Sequence, residues 1–407
     1  MTVPKLRFKE FDGGWTKSTI QFFMDNNFIL DQMDGNHGEL YPKSEEFSAT
    51  GVPYISATDF SFGDVNFATC KRLPIERAKL FKKGIAKNGD VLFAHNATVG
   101  PVAILKTDLD FVILSTTATY YRCEATYLNN HYLKNYFESD FFVQQYFGIM
   151  SQSTRNQVPI TTQRKLNIAV PNIQEQTKIA SFLSAVDEKI SQLTQKHELL
   201  SQYKQGMMQK LFSQQLRFKA DDGSEFGEWE EKELKDIAEI NPKSKKLPES
   251  FIYIDLESVE KGQLLLQKNI ELQDAPSRAQ RLLAKGDVLF QMVRPYQQNN
   301  YYFNLSGEYV ASTGYAQIRT KLDSKFIYYA LHEKTFLDEV MNRCTGTSYP
   351  AINSSDLSSI EILIPCLEEQ TKIANFLSSI DQKIEVVAQQ IEQAKQWKKG
   401  LLQQMFI

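Results

Sequence analysis

Cysteine is scarce in this chain: Cys70, Cys123, Cys344 and Cys366 are scattered through 407 residues with no C-x-x-C pair. That spacing excludes a disulfide scaffold and a cysteine-held zinc. The five histidines form no H-E-x-x-H or comparable ligand spacing, so no metal site is expected. No apolar run approaches the roughly 18 residues that cross a bilayer, and the opening stretch MTVPKLRFKE lacks the apolar core of a secretory leader. A cytoplasmic protein is expected. Charge of one sign is missing too: the net value is -3, so no global positive field draws the chain to phosphates, and nucleic-acid binding would have to come from local patches or a partner's charge. Catalytic signatures are absent as well. There is no G-x-x-x-x-G-K-S/T phosphate loop, no Gly-rich dinucleotide turn, no G-x-S-x-G, and no Asn/Asp-Pro-Pro-aromatic tetrapeptide of amino-methyltransferases; Asn241-Pro242-Lys243 lacks the second proline and the aromatic.

What the sequence does have is an internal repeat. Residues 171–190 read PNIQEQTKIASFLSAVDEKI and residues 365–384 read PCLEEQTKIANFLSSIDQKI, identical at 13 of 20 positions at an offset of 194. The offset holds without a gap to KQGMMQKLF (204–212) over KKGLLQQMF (398–406). Upstream the match loosens but persists. Gly89-Asp-Val-Leu-Phe93 recurs as Gly286-Asp-Val-Leu-Phe290, Tyr54-Ile55 as Tyr253-Ile254, and Trp15 near Phe8 as Trp229 near Phe218. Drifting offsets there mean that loops have changed length.

Each well-matched segment reads as one long helix. Ile179, Leu183, Val186, Ile190, Leu193, Leu200, Met207 and Leu211 fall on alternating three- and four-residue steps, as do Ile373, Leu377, Ile380, Ile384, Val387, Ile391, Ala394, Leu401 and Met405. That is a coiled-coil seam. Pro171 and Pro365 precede the helices, where a missing N–H costs nothing. Lys204 and Lys398 interrupt the seam at equivalent steps. In an antiparallel pair each needs its own acceptor, and Lys204 is expected near Glu368, Glu369 or Gln370, with Lys398 near Glu175 or Gln176. Thr177-Lys178 and Thr371-Lys372 lie off the seam yet are identical, which packing does not demand. Glu175, Lys178, Glu369 and Lys372 are therefore candidates for docking one partner twice.

The segments before the helices carry short apolar-aromatic runs, Val91–Phe93, Val102–Leu105, Ile252–Ile254 and Ile360–Ile364, between Gly, Asn, Asp and Ser clusters. These predict strands of mixed α/β globules, with further helix over Leu128–Phe147 and Ser324–Asn342. The fold class is thus α+β: two mixed α/β globules in tandem (1–170 and 214–364), each followed by a long helix (171–213 and 365–407) that carries a coiled-coil seam.

Candidate binding residues lie in basic and polar loops. Lys71, Arg72, Arg77, Lys79, Lys82, Lys83 and Lys87 stand against only Glu76 and Asp90, a patch suited to phosphates. Arg278, Arg281, Lys285 and Arg294 form its expected counterpart in the second globule. Past each G-D-V-L-F run comes a polar stretch, Ala94–Thr98 with His95, Asn96 and Thr98, and Gln291–Asn300 with Gln291, Arg294, Tyr296 and Gln297. Gln, Asn and Arg read adenine and guanine edges. A second loop precedes the last strand of each globule: Ser151–Gln157 with Ser153, Thr154, Arg155 and Asn156, and Thr345–Tyr349 with Thr347, Ser348 and Tyr349. Taken singly, each loop is an ordinary surface turn, and His95 a hydrogen-bonded turn residue.

A P-x-x-x-E-Q-x-x-I-A-x-x-L-x-x-x-D-x-x-I helix appearing twice, each time after a G-D-V-L-F strand and a Gly/Ser/Thr loop, resembles the specificity subunit of Type I restriction-modification systems. The resemblance implies a non-catalytic DNA reader in which each globule is a target recognition domain for half of a bipartite, asymmetric double-stranded DNA site. It implies that the helices pair as an antiparallel coiled coil, space the globules and dock two methyltransferase subunits and, through them, motor-nuclease subunits. S-adenosylmethionine, ATP and magnesium would then sit on those partners and no cofactor on this chain. The competing reading is a coiled-coil adaptor whose globules bind proteins.

Overall fold

A computed structural model of the chain describes residues 3–150, 156–243 and 246–407. Two compact units divide it: residues 1–196 with 387–407, and residues 197–386. This partition differs from the four consecutive segments expected above, because each long helix contributes to both units.

Within the first unit one four-stranded sheet runs Lys71–Leu73, Val52–Ile55, Val112–Leu114, Ile85–Ala86, and a second runs Ile29–Asp34, Ala118–Cys123, Val91–Asn96, Thr98–Ile104. A two-stranded ladder joins Thr16–Thr19 to Asn167–Val170. The second unit repeats this order strand for strand: Lys268–Glu271, Ser250–Ile254, Tyr309–Ser312, Ala279–Leu282; then Ala238–Ile240, Tyr315–Thr320, Val288–Gln291, Tyr301–Tyr302; and Glu230–Glu233 with Glu361–Ile364. The sequence repeat is therefore a repeat of topology. In the G-D-V-L-F motif, Gly89 and Gly286 adopt positive φ, which admits the tight turn. The following aspartate closes that turn, accepting from Lys87 N and Ala284 N, and is gripped by a guanidinium from the neighbouring strand, Arg122 on Asp90 and Arg319 on Asp287. Valine, leucine and phenylalanine then enter the core.

The helical stretches expected over 128–147 and 324–342 are each two helices, Asn130–Phe137 with Asp140–Met150 and Ser324–Ala330 with Lys334–Asn342. Local hydrogen bonds cause the breaks. The Ser139 hydroxyl turns back onto the Tyr136 carbonyl, and the Glu333 carboxylate caps Thr335 N and Phe336 N.

The long helices span Ile173–Phe212 and Leu367–Met405. Seam residues Ile179, Leu183, Val186 and Ile190 share the first unit's core with Leu401 and Met405, and Leu211 shares the second unit's core with Ile373, Leu377 and Ile380. Lys398 pairs with Asp187 at 2.7 Å and Lys204 with Asp381 at 2.6 Å. As one helix advances from 187 to 204 the other retreats from 398 to 381, so the pair is antiparallel. The expected acceptors are corrected. Lys204 stands eight residues before the end of its helix at Phe212, so it meets the second helix well past the start, at Asp381 rather than Glu368, Glu369 or Gln370. Lys398 likewise takes Asp187, and also Glu138 at 2.7 Å, rather than Glu175 or Gln176.

Glu175 and Glu369 are fully buried. Arg7 clasps the first with two hydrogen bonds and Arg217 the second, each arginine also donating to a glycine carbonyl, Gly13 or Gly227. Leu6 N donates to Gln404 O at 2.9 Å, and Leu216 N to Lys210 O at 3.0 Å. The same helix-to-segment contact is thus made once along the chain and once between its two ends. Phe406 and Ile407 finish in the first unit's core, where Tyr136 donates to the Ile407 carbonyl.

The pairing of Lys398 with two partly buried carboxylates has a measurable consequence. Lys398→Leu leaves Lys134 alone to neutralise both Glu138 and Asp187 and should cost about 2 kcal/mol of stability, whereas Lys204→Leu, whose acceptor Asp381 is more exposed and keeps the Tyr329 hydroxyl, should cost about 1 kcal/mol or less; urea unfolding of the two variants gives the order.

Burial also holds the imidazoles of His37, His95, His131 and His332 below their ordinary value of 6.5. Below that value the unfolded chain binds protons that the folded chain refuses, so stability falls as pH drops and levels off above it. Urea midpoints measured at about pH 8, 7 and 5.5 should fall slightly from the first to the second and much more to the third.

Candidate nucleic-acid interface

In the first globule the strand Val91–Asn96 turns into Thr98–Ile104 through Ala97 at positive φ. Asn156–Val158, at the described end of the second polar loop, is laid against this turn. Ala97 N donates to Asn156 O at 3.0 Å, Val158 N donates to His95 O at 2.8 Å, and Asn96 bridges Gln157. The two polar loops singled out in the sequence therefore form one rim. Ser153, Thr154 and Arg155 lie outside the described residues; Asn156 and Thr98 are exposed and Asn96 half-buried.

The second globule makes the same juxtaposition with a longer loop. Arg294 N donates to Pro350 O at 2.7 Å, Ile352 N to Met292 O at 3.1 Å, and Val293 bridges Ala351. Arg294 and Gln298 hold left-handed φ around a single 3-10 turn, Pro295–Gln297. The Arg294 guanidinium lies 4.3 Å from the Tyr349 ring centre, a cation–π contact that presents a flat fork beside an aromatic face. Tyr296 and Tyr349 are 51% and 64% exposed, which leaves both rings accessible from outside the chain. Gln297, Thr347 and Ser348 complete the exposed rim.

Several candidates are corrected. His95 is buried, its ring 2.9 Å from Thr119 Oγ1, and Gln291 is buried with its amide spent on Val293 O, Gln297 Oε1 and Asn299 N. Neither side chain can reach a base. Glu175 and Glu369 are committed to internal arginines and are off the surface. Lys178 remains exposed beside Phe8 and Glu10, while Lys372 is held by Asp221 and Lys219 O.

The two basic patches correspond only in part: Lys82, Lys83 and Lys87 flank Ile85–Ala86, the strand whose counterpart, Ala279–Leu282, is flanked by Arg278 and Lys285. Lys71 and Arg72 lie on one edge strand of their sheet, whose counterpart is Lys268–Glu271, whereas Arg281 lies on Ala279–Leu282, the counterpart of the opposite edge. Several of these cations are also occupied. Arg72 donates to Gly51 O, Arg77 is held by Glu46 and Leu40 O, Lys79 pairs with Glu76, and Lys71 lies over Phe47. Burial lowers the pKa of the half-buried Arg281. Lys82, Lys83, Lys285 and Arg278 are exposed.

One element of the rim was missed. The turn Ser115–Thr117 receives His95 N at the Thr117 carbonyl and Asn96 Nδ2 at the Thr116 carbonyl, and Met292 N donates likewise to Gly314 O of the turn Ser312–Gly314. These turns bring the useful cations to the rim. Gly84, next to Lys83, bonds Leu114 beside the first turn, and the Arg278 carbonyl accepts from Thr313 N in the second. The signal was present: Ser115-Thr116 recurs as Ser312-Thr313 at the offset of the G-D-V-L-F motif.

Each rim thus joins amide and hydroxyl side chains, which can address base edges, to flanking cations, which can meet phosphates. The family described as Type I restriction modification DNA specificity domain matches residues 31–202 and again 227–396. The MjaX putative specificity subunit of Methanocaldococcus jannaschii is 28% identical over 77% of this chain and 76% of its own length. The MjaVIII specificity subunit of the same organism is 28% identical over 58% of this chain and 60% of its own, less than two thirds of that relative. Among solved structures, the Type-I restriction-modification system S subunit from M. genitalium aligns over 100% of this chain and 99% of its own at 17% identity and a TM-score of 0.60. A chain from a study of complex assembly and conformational transition of the type I R-M system aligns over 96% and 97% at 19% identity and 0.56. These likenesses share the fold; no helix among the described residues is long and apolar enough to cross a membrane. With the family matched twice and across most of its length, the chain belongs to the type I restriction-modification DNA specificity subunits, the non-catalytic recognition component of those systems.

Proposed function

We propose that this chain reads a bipartite, asymmetric site on double-stranded DNA, one half-site per globule, and docks two methyltransferase subunits and, through them, motor-nuclease subunits. S-adenosylmethionine, ATP and magnesium are assigned to those partners and none to this chain. The observation that carries the reading is the matched pair of rims: one strand order brings the same two loops and the same Ser-Thr turn together in both globules, yet with different side chains. A repeated scaffold with unlike loops suits two different half-sites of one DNA. The partner-docking part now rests on Thr177, Lys178 and Thr371, which stay exposed, as do the repeat-identical Lys189 and Lys383 further along the helices. An adenine must leave the stack to be methylated, and in this reading the partner's pocket receives it.

The test is base-resolved methylation of a randomised DNA library by the assembled complex. Asn96→Ala should relax one position of one half-site and Arg294→Ala one position of the other, each by about 1–3 kcal/mol, with binding retained. A variant in one globule that alters both half-sites would overturn the division of labour.

A further inference from the structure

Beneath the first rim lies a buried polar network. Gln163 Nε2 donates to Val158 O at 2.7 Å and to Thr119 Oγ1 at 3.1 Å, while its Oε1 accepts from the Tyr121 hydroxyl at 2.6 Å and from Gln32 Nε2 at 3.2 Å. A carbonyl can only accept, so Val158 O fixes which end of the amide faces it. Thr119 Oγ1 thus accepts from Gln163 and is hydrogen-bonded on its other side to His95 Nδ1, 2.9 Å away, and burial holds the His95 imidazole below its ordinary value. Gln32, His95, Thr119, Tyr121 and Gln163 are all buried, and the network's ends are attached to the two rim loops: Val158 follows Gln157, and His95 precedes Asn96.

A different network lies beneath the second rim. Gln291 Nε2 donates to Val293 O at 2.7 Å and to Gln297 Oε1 at 2.9 Å, and its Oε1 accepts from Asn299 N at 3.1 Å. Asn300 Oδ1 accepts from Gln291 N at 2.8 Å. Asn300 Nδ2 reaches His332 Nε2 at 3.4 Å; this nitrogen is free to accept because His332 Nδ1 donates to Tyr328 O at 2.7 Å. The networks are not copies of each other. Gln291 stands opposite Tyr315 as Ala94 stands opposite Ala118, so the residue that organises the second loop has an alanine as its counterpart in the first.

We infer that base choice at each half-site is set from beneath by these networks, with Thr119 and Gln163 as positioning residues for the Asn96–Asn156 rim and Gln291 and Asn300 for the Arg294–Tyr349 rim. The inference rests on the loops being base readers, as proposed above. A fully satisfied buried network admits one arrangement, and it transmits that arrangement to whatever it holds. None of the four needs to touch DNA. Replacing one frees a loop to adopt neighbouring arrangements, which shows as altered base preference rather than uniformly weaker binding.

The experiment profiles methylation of a randomised library by the assembled complex carrying Thr119→Val, Thr119→Ser or Gln291→Met. Valine keeps the shape of threonine and removes the hydroxyl, whereas serine keeps it. Thr119→Val should reduce discrimination at one or more positions of the first half-site about tenfold and leave the second half-site unchanged. Thr119→Ser should restore it, and Gln291→Met should give the mirror result. Unchanged base preference with uniformly slower methylation or a lower melting temperature would reduce these residues to packing and overturn the inference. If one variant fails to fold, the other globule's variant carries the same test. Failure of the underlying reading looks different: Asn96→Ala and Arg294→Ala would then leave base preference untouched.

Discussion

A carboxylate shut away from water must have its charge met inside the protein, and Glu175 and Glu369 impose that constraint at the start of both long helices. Each is met by an arginine from the segment leading into a globule, Arg7 or Arg217. In the second unit Trp229 Nε1 adds a third donor. The neighbouring glutamine does the complementary work for neutral groups. Gln176 accepts from Asn129 N and donates to Pro171 O, and Gln370 accepts from Asp323 N and donates to Pro365 O. The E-Q dipeptide thereby fastens the entering segment, the short helix and the end of the last strand to one helical turn. A globule whose helix start is fixed in this way can change its loops without losing its seat.

That seat explains how likeness and difference coexist in the two halves. Sheet order, the Gly-Asp turn and the helix start are copied because each is a closed set of hydrogen bonds with few substitutes. The rims are not copied. In the first globule a tight turn at Ala97 joins two strands, while in the second the same connection is lengthened and requires two non-glycine residues at left-handed φ, Arg294 and Gln298. Such conformations cost free energy and persist where the surroundings hold them, here the amides of Gln291 and Asn300.

The helix pair is tied to both globules by charge as well as by its apolar seam. In the first unit Lys134, Glu138, Asp187 and Lys398 form one cluster of alternating charge; burial opposes the Lys134 ammonium, but the two carboxylates outweigh it and hold its proton more tightly than in an ordinary lysine. At the matching place in the second unit Lys204 meets Asp381 and the face of Tyr329, whose hydroxyl also donates to Asp381. A lysine at a seam position is thus tolerated twice by different means, and in each case the acceptor lies on the facing helix.

The sequence by itself determined the repeat, the two long helices with their shared seam, and the strands and polar loops at repeat-related places. These are legible because apolar periodicity, prolines at helix starts and duplicated strings such as G-D-V-L-F are local signals. The tertiary contacts showed the helices antiparallel and joined the loops into rims. Only the tertiary structure decided which polar residues face outward. Glu175, Gln291 and His95 look like surface groups in a string of letters, since nothing local distinguishes a buried, fully bonded side chain from a solvated one; their partners lie many residues away. The same holds for the basic patches, in which Lys71 and Arg281 lie on opposite edges of corresponding sheets. Sheet order is a property of nonlocal strand pairing, and that pairing decides where a charge ends up.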